Sequence, residues 1–293
     1  MKMIKKVVLV ATIIGLSGIL INATSNTKNT DTSSYFPEAI DFAGEATPLQ
    51  IYDVRERMDR ELLINENLHS STILILKRAN KFFPIIEPIL AKNNVPDDFK
   101  YLAVIESSLI TASVSKAGAS GIWQFMKQTA VEKGMEVSES VDERYHLEKS
   151  TEAACKYLLS AKEKFGSWTL AAASYNGGMA GVAKQIESQQ VSNYYDLLLV
   201  EETSRYVFRI LALKEIMKKP TIYGFNLQPK DLYKNLPTRK IEFDSSISNL
   251  ASFAKSQGIN YKILKYYNPW LRDKKLDNLG NKKYEIEIPT EGY

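Results

Sequence analysis

Apolar residues recur at intervals of three and four along most of this chain, and alternate only in two short stretches near its end. The beginning follows neither pattern. Lys2, Lys5 and Lys6 precede an apolar run over 7–21, broken only by Thr12, Gly15, Ser17 and Gly18, with small residues at Asn22 and Ala23. That is the layout of a cleaved export leader, residues 1–23, and the run is short for a membrane span, which needs about 20 apolar residues. Residues 24–47, which open with the small and polar stretch 24–34, are expected to be a linker. Ile51, Val54, Met58 and Leu62 then mark one face of a helix. The pattern continues over 73–90, where Pro84 and Pro88 are expected to break it or to start new helices. On this reading 48–95 is a helical lead-in.

A second helical block, 96–220, closes on Lys218-Lys219-Pro220, a basic last turn followed by a proline stop. After a linker at 221–237, residues 240–243 alternate like a strand, 247–257 and 261–267 are helical, and 284–288 alternate again. Residues 238–293 are therefore expected to be a compact β-α-α-β unit. The fold class is mainly α, with one large helical domain and one small module.

Composition adds exclusions. The formal charge of +4 falls to +1 once the three lysines of the leader are gone, so the basic balance gives no argument for nucleic acid. The single cysteine, Cys155, lies in a helix interior, which excludes an internal disulfide and a lipidated cysteine at the cleavage site. His69 and His146 lack partners at metal-ligand spacing and read as surface or core histidines, so no metal and no cofactor is called for.

The candidate chemistry begins at Glu106, which ends the apolar stretch 99–105 and is followed by no other acid until Glu132. Phe99, Leu102, Ala103 and Glu106 share one helix face, so the carboxyl points where the core lies. A carboxyl held against apolar neighbours loses solvation of its charged form, and its pKa rises until it can serve as a protonated general acid near neutral pH. Gly118 and Gly121, among Ala117, Ala119 and Ser120, permit close backbone approach. Gln124, an amide that donates and accepts at once, stands among Trp123, Phe125 and Met126. Tyr175 and Asn176 end an Ala-rich helix before Gly177 and Gly178. The acids Glu132, Glu136, Glu139, Asp142 and Glu143 are expected on a solvated surface.

In this order, Glu106-Ser107, the stretches 115–126, 150–158 and 172–178, and Glu202-Thr203-Ser204-Arg205-Tyr206-Val207 resemble the lytic transglycosylase family, over about residues 90 to 220. The resemblance implies a lysozyme-like helical catalytic domain. It implies cleavage of the β-1,4 bond between N-acetylmuramic acid and N-acetylglucosamine of peptidoglycan without water, leaving a 1,6-anhydro ring. It also implies Glu106 as the single acid/base and Ser115 as a hydrogen-bonding group near that carboxyl and the substrate. Gln124 and Met126 would line the sugar cleft, Tyr175 and Asn176 would sit over the scissile sugar, and Glu202 and Tyr206 match a later element of the site. Lys127 departs from a common proline and Gly177 from a more usual alanine.

Ordinary glycosidases use two acids, about 5–5.5 Å or 6.5–9.5 Å apart. One acid suffices where the substrate's own hydroxyl attacks. A hydrolytic muramidase, which would need a second carboxylate near Glu106, and a glycan-binding protein without turnover are the alternatives. The C-terminal unit resembles a LysM module, a peptidoglycan-binding fold, chiefly in Asn268-Pro269 and the closing Ile288-Pro289. Tyr266, Tyr267 and Trp270 there either meet sugar or fill the core. The expected partners are peptidoglycan glycan strands and no nucleic acid. The protein is expected to be a monomer exported to the bacterial periplasm or cell envelope, tied to the membrane if the leader stays uncleaved.

Overall fold

Helix follows helix through the first two thirds of the protein, as the three-and-four spacing of apolar residues requires. A computed structural model describes residues 35–293; the expected leader lies outside the described residues. The order is β1 (Asp41–Phe42), β2 (Glu45–Ala46), α1 (Tyr52–Asn67), α2 (His69–Lys92), α3 (Lys100–Ser107), α4 (Lys127–Glu132), α5 (Leu147–Phe165), α6 (Trp168–Gly177), α7 (Met179–Gln189) and α8 (Glu201–Lys218). Helix α8 lies at the centre: Tyr206, Val207, Phe208, Ile210, Leu211 and Ala212 are all buried, and α1, α3 and α6 pack around it. Its charged residues lie at its two ends and along one side, at Glu201, Glu202, Arg205 and Arg209, while the apolar remainder is enclosed.

Three expectations change. Pro84 and Pro88 do not break the lead-in; both lie inside α2, which runs unbroken for 24 residues. Each proline removes one helix N–H, at the cost of a donor to Asn80 O and to Pro84 O, but the buried Phe82, Ile86 and Leu90 keep the helix packed. The segment expected as the linker 221–237 is held against this same helix. Tyr233 N–H donates to Lys77 O at 3.2 Å and Asn235 Nδ2 to Lys81 O at 2.6 Å, while Phe225 is buried with its ring stacked on His69.

The third change is at the other expected linker, 24–47, whose later part is folded. Phe42 is fully buried edge-on against Phe99, with ring centroids 5.0 Å apart. Lys214 Nζ, itself buried, donates to Asp41 O and Asp98 Oδ2, both at 2.6 Å, and Ala43 N–H donates to Asp98 Oδ2 at 2.7 Å. A single phenylalanine among small residues gives no periodic signal, yet it anchors the hairpin.

The small module has the expected β-α-α-β order: β3 (Thr238–Phe243), α9 (Leu250–Ser256), α10 (Tyr261–Tyr267) and β4 (Tyr284–Pro289). The strands are antiparallel, with Thr238 opposite Pro289 and Phe243 opposite Tyr284. Asn249 and Asn260 cap the helices by accepting from Ser252 N–H and Ile263 N–H. Asn268 is fully buried and stitches α10 to β4: its amide donates to Leu264 O and Glu287 O, and its carbonyl accepts from Glu287 N–H.

The module's core is shared. Val141 and Tyr145 of the helical domain belong to the same apolar cluster as Leu250, Leu264, Trp270 and Ile286. Asp142 N–H donates to Trp270 O at 2.9 Å, and Arg272 N–H to Ser140 O at 2.8 Å. Trp270 is thus a core residue, stacked between Tyr284 and His146, whereas Tyr266 stays exposed and Tyr267 is half-buried. This docking also corrects the reading of the acidic stretch. Glu132 and Glu139 are exposed as expected, but Asp142 and Glu143 are buried; Asp142 pairs with Arg144 at 2.7 Å, and Glu143 with Lys149 and Lys282 at 2.5 and 2.8 Å.

Candidate active site

Glu106 sits in the last turn of α3, which is buried all round over Tyr101, Leu102, Ala103 and Val104. The helix stops there because Ser108 adopts a left-handed conformation (φ 51°), followed by Leu109 at φ 57°. Two consecutive left-handed non-glycine residues are costly, and such strain clusters at functional sites. Ser108 N–H returns to Val104 O at 2.7 Å, and Arg78 Nη1 reaches Ser108 O at 3.1 Å, so the turn is held from both sides.

The carboxyl is pushed up to about 7 from an ordinary 4.5. Burial is the largest cause; the nearby charge of Glu202 adds to it, while a hydrogen bond from Tyr206 and the charge of Arg209 oppose it. Tyr206, buried in α8, donates its hydroxyl to Glu106 Oε1. The phenol's own pKa is raised well above 10, by burial and by the Glu106 charge, so it remains a donor over the whole working range.

The remaining candidate residues divide by what holds them. Tyr175 belongs to the same electrostatic group, since burial and then the Glu106 charge raise its pKa well above 10. Its hydroxyl donates to Trp123 O at 2.8 Å, and its ring meets Phe125 and Tyr157 edge-on. Asn176 bridges α6 to the start of α8: Nδ2 donates to Glu202 Oε1 at 3.2 Å and Oδ1 accepts from Thr203 Oγ1 at 2.8 Å. Met126 is exposed at the head of α4.

Two of the candidate residues also hold their own loop together. Ser115 is exposed, and its hydroxyl accepts from Ala119 N–H at 3.0 Å, closing its own loop; the donor to the carboxyl is Tyr206. Gln124 has φ 49° and spends its amide nitrogen on Gly121 O (2.7 Å) and Ser113 O (3.2 Å), so it ties the loop together from inside.

Two supports of the site were not visible in the sequence. Glu45, in the hairpin, accepts from Trp168 N–H, Thr169 N–H, Ser167 Oγ and Thr169 Oγ1, which caps the N-terminus of α6, the helix that carries Tyr175 and Asn176. Burial opposes its charge, but those hydrogen bonds outweigh burial and hold its pKa below the ordinary value. Arg144 donates to Gly118 O at 3.0 Å and Phe125 O at 3.2 Å, which fixes the loop that carries Gln124. Both act on backbone groups far away in sequence, so no local spacing marks them.

A tyrosine on a raised carboxyl gives a direct test. Tyr206→Phe removes a hydrogen bond made to the charged form, so the Glu106 pKa climbs further above about 7. The alkaline limb of the kcat/KM profile is expected to move to higher pH, with kcat down about tenfold. An unmoved limb would mean that this hydrogen bond does not govern the carboxyl.

Residues 83–198 match the family described as "Transglycosylase SLT domain", and 239–292 match "Soluble lytic transglycosylase C-terminal LysM-like domain". The chain therefore carries a lysozyme-like transglycosylase domain followed by a LysM-like domain. Glu202 and Tyr206 lie beyond the first matched segment and reach the site through α8. Among curated proteins the chain is similar to membrane-bound lytic murein transglycosylase D of Escherichia coli strain K12, at 29% identity over 232 residues. The protein of the same name from Escherichia coli O6:H1 matches equally. The alignment covers 78% of this chain and 50% of each relative, so the chain spans about half the length of the curated relatives it matches.

Proposed function

We propose that this protein is a peptidoglycan lytic transglycosylase that cleaves the β-1,4 bond from N-acetylmuramic acid to N-acetylglucosamine and leaves 1,6-anhydro ends. The observation that carries the reading is Glu106: a half-buried carboxyl near 7 with a phenol as its donor, inside a transglycosylase domain. At neutral pH such a group is divided between acid and base, which a residue that does both tasks requires. Protonated Glu106 donates to the glycosidic oxygen as the bond to C1 breaks. The resulting carboxylate is steadied by the Tyr206 hydroxyl and the Arg209 charge, and then takes the proton of the muramyl C6 hydroxyl as that oxygen closes on C1. Attack within one sugar has a large effective molarity, which favours ring closure over entry of water.

Hydrolysis is the second reading, because Glu202 is close enough for its charge to act on Glu106. Glu202 is exposed and its carboxylate is occupied by the Asn176 amide, an arrangement suited to the wall of a cleft. In this proposal Tyr175 and Asn176 shape that wall, Met126 offers an apolar edge to sugar, and Gln124 and Ser115 hold the loop opposite. Digestion of purified peptidoglycan with mass analysis of the fragments separates the readings. Ends lighter by one water than reducing ends are expected; reducing ends alone would establish a hydrolase, and no release would leave only binding.

The cellular role follows as part of the proposal: turnover or remodelling of the wall from the envelope side of an exporting cell. No helix among the described residues is long and apolar enough to cross a membrane. The LysM-like domain is proposed to hold glycan for the same reaction.

A further inference from the structure

Helices α1 and α8 flank an open cavity of about 520 Å³, with Asn65 and Leu68 on one wall and Glu202, Arg205 and Arg209 on the other; the charges of Glu202 and Arg209 both act on Glu106. The charges around it are unequally used. Arg205 is spent on Glu61, through Nε at 2.6 Å and Nη2 at 3.3 Å, and on Glu201 at 3.6 Å; Arg60 pairs with Glu201 at 3.0 Å. Glu202 is turned to Asn176.

Arg209 alone of this group has no carboxylate within ion-pair distance among the described residues. Its guanidinium gives one hydrogen bond, from Nη2 to the carbonyl of Ile105 at 3.4 Å, which sets it one residue from Glu106. A guanidinium carries five N–H donors in a planar fork that matches a carboxylate, so most of this one is unspent and faces a cavity beside the reacting carboxyl.

We propose that Arg209 is a specificity-determining residue that receives a carboxylate carried by the muramyl sugar, in the cavity between α1 and α8. The inference rests on the function proposed above. Peptidoglycan offers that group from two sources: the lactyl ether on the ring, free where the peptide has been removed, and the acids of the peptide stem where it is present. The lead-in helix then has a part in the reaction, because it supplies the second wall of the pocket into which the substituent extends. An uncharged glycan would fill the sugar cleft and leave Arg209 unmatched.

Binding without turnover tests this. In a Glu106→Gln background, calorimetry would compare soluble glycan fragments in three forms: stem-bearing, stripped of stems so that lactyl carboxylates are free, and with all carboxylates converted to amides. Adding Arg209→Gln is expected to raise Kd about tenfold for at least one acidic form and to leave the amidated form unchanged. Arg209→Lys should recover part of that loss, since it restores charge without the fork. A loss confined to stem-bearing glycan assigns the stem, and a loss on stripped glycan assigns the lactyl group. An equal change in all three forms, or none in any, would overturn the proposal. Should the parent enzyme release no anhydro ends, the binding comparison still reads Arg209 by itself.

Discussion

Glu106→Gln is expected to lower turnover of peptidoglycan below about 1% of the parent rate while glycan binding persists, because a positioned acid/base contributes about a hundredfold to ten-thousandfold. The same change should make the protein more stable in alkali. The carboxyl has a folded pKa of about 7 against an ordinary 4.5. Below 4.5 the proton is on in both folded and unfolded chains and the group contributes nothing. Between 4.5 and 7 the folded chain holds a proton that the unfolded chain releases, so stability declines as pH rises through that window. Above it the penalty levels off at about 3 kcal/mol. Glutamine carries no charge, so the variant's advantage over the parent in denaturant midpoint should be larger at pH 8 than at pH 4. A variant that retains more than a few per cent of the rate, or an advantage that does not grow with pH, would show that the carboxyl is not the proton carrier described.

The second large effect is expected at Gly121. Its φ is +81°, and a Cβ there would stand 1.9 Å from Arg144 O, a backbone atom that has no room to yield because Arg144 is paired with Asp142. Gly121→Ala is therefore expected to cost about 3 kcal/mol or more, from the left-handed backbone and the clash together. Activity should fall further than stability does, since Gly121 O and Ser113 O hold the Gln124 amide in the same loop. Gly118→Ala is the control: φ is +88°, but open space surrounds the added atom, so only the conformational cost of about 1–2 kcal/mol applies. Denaturant midpoints of the two variants give the comparison. Equal losses would show that the contact with Arg144 is not what fixes the loop.

Most of the helical architecture could be read from spacing alone, because α1, α3 and α8 bury faces that repeat every three or four residues. The β-α-α-β order of the module was equally legible from two alternating stretches around two helical ones. Glu106 stood out because a lone acid closed an apolar face, and its raised pKa follows from that same placement. What spacing did not reveal were contacts made by single side chains to distant backbone: Glu45 on the head of α6, Arg144 on the Gly118–Phe125 loop, and Tyr233 and Asn235 along the proline-bearing helix α2. Such partners obey no period, and Glu45 stands among small residues that resemble a spacer. The burial of Asp142 and Glu143 was hidden for a related reason, since the lysines that neutralise Glu143 come from α5 and from the module.

The shared cluster of Val141, Tyr145, Trp270 and Ile286 bears on how this protein can be divided. A fragment trimmed to 83–198 would lose Tyr206, the cap on α6, and the apolar cover over Val141. Residues 37–293 pack as one compact unit, and the C-terminal module is better pictured as a graft than as a tethered passenger. Transplanting it onto another enzyme would move a wound rather than a tool, because the host would lack the surface on which it closes.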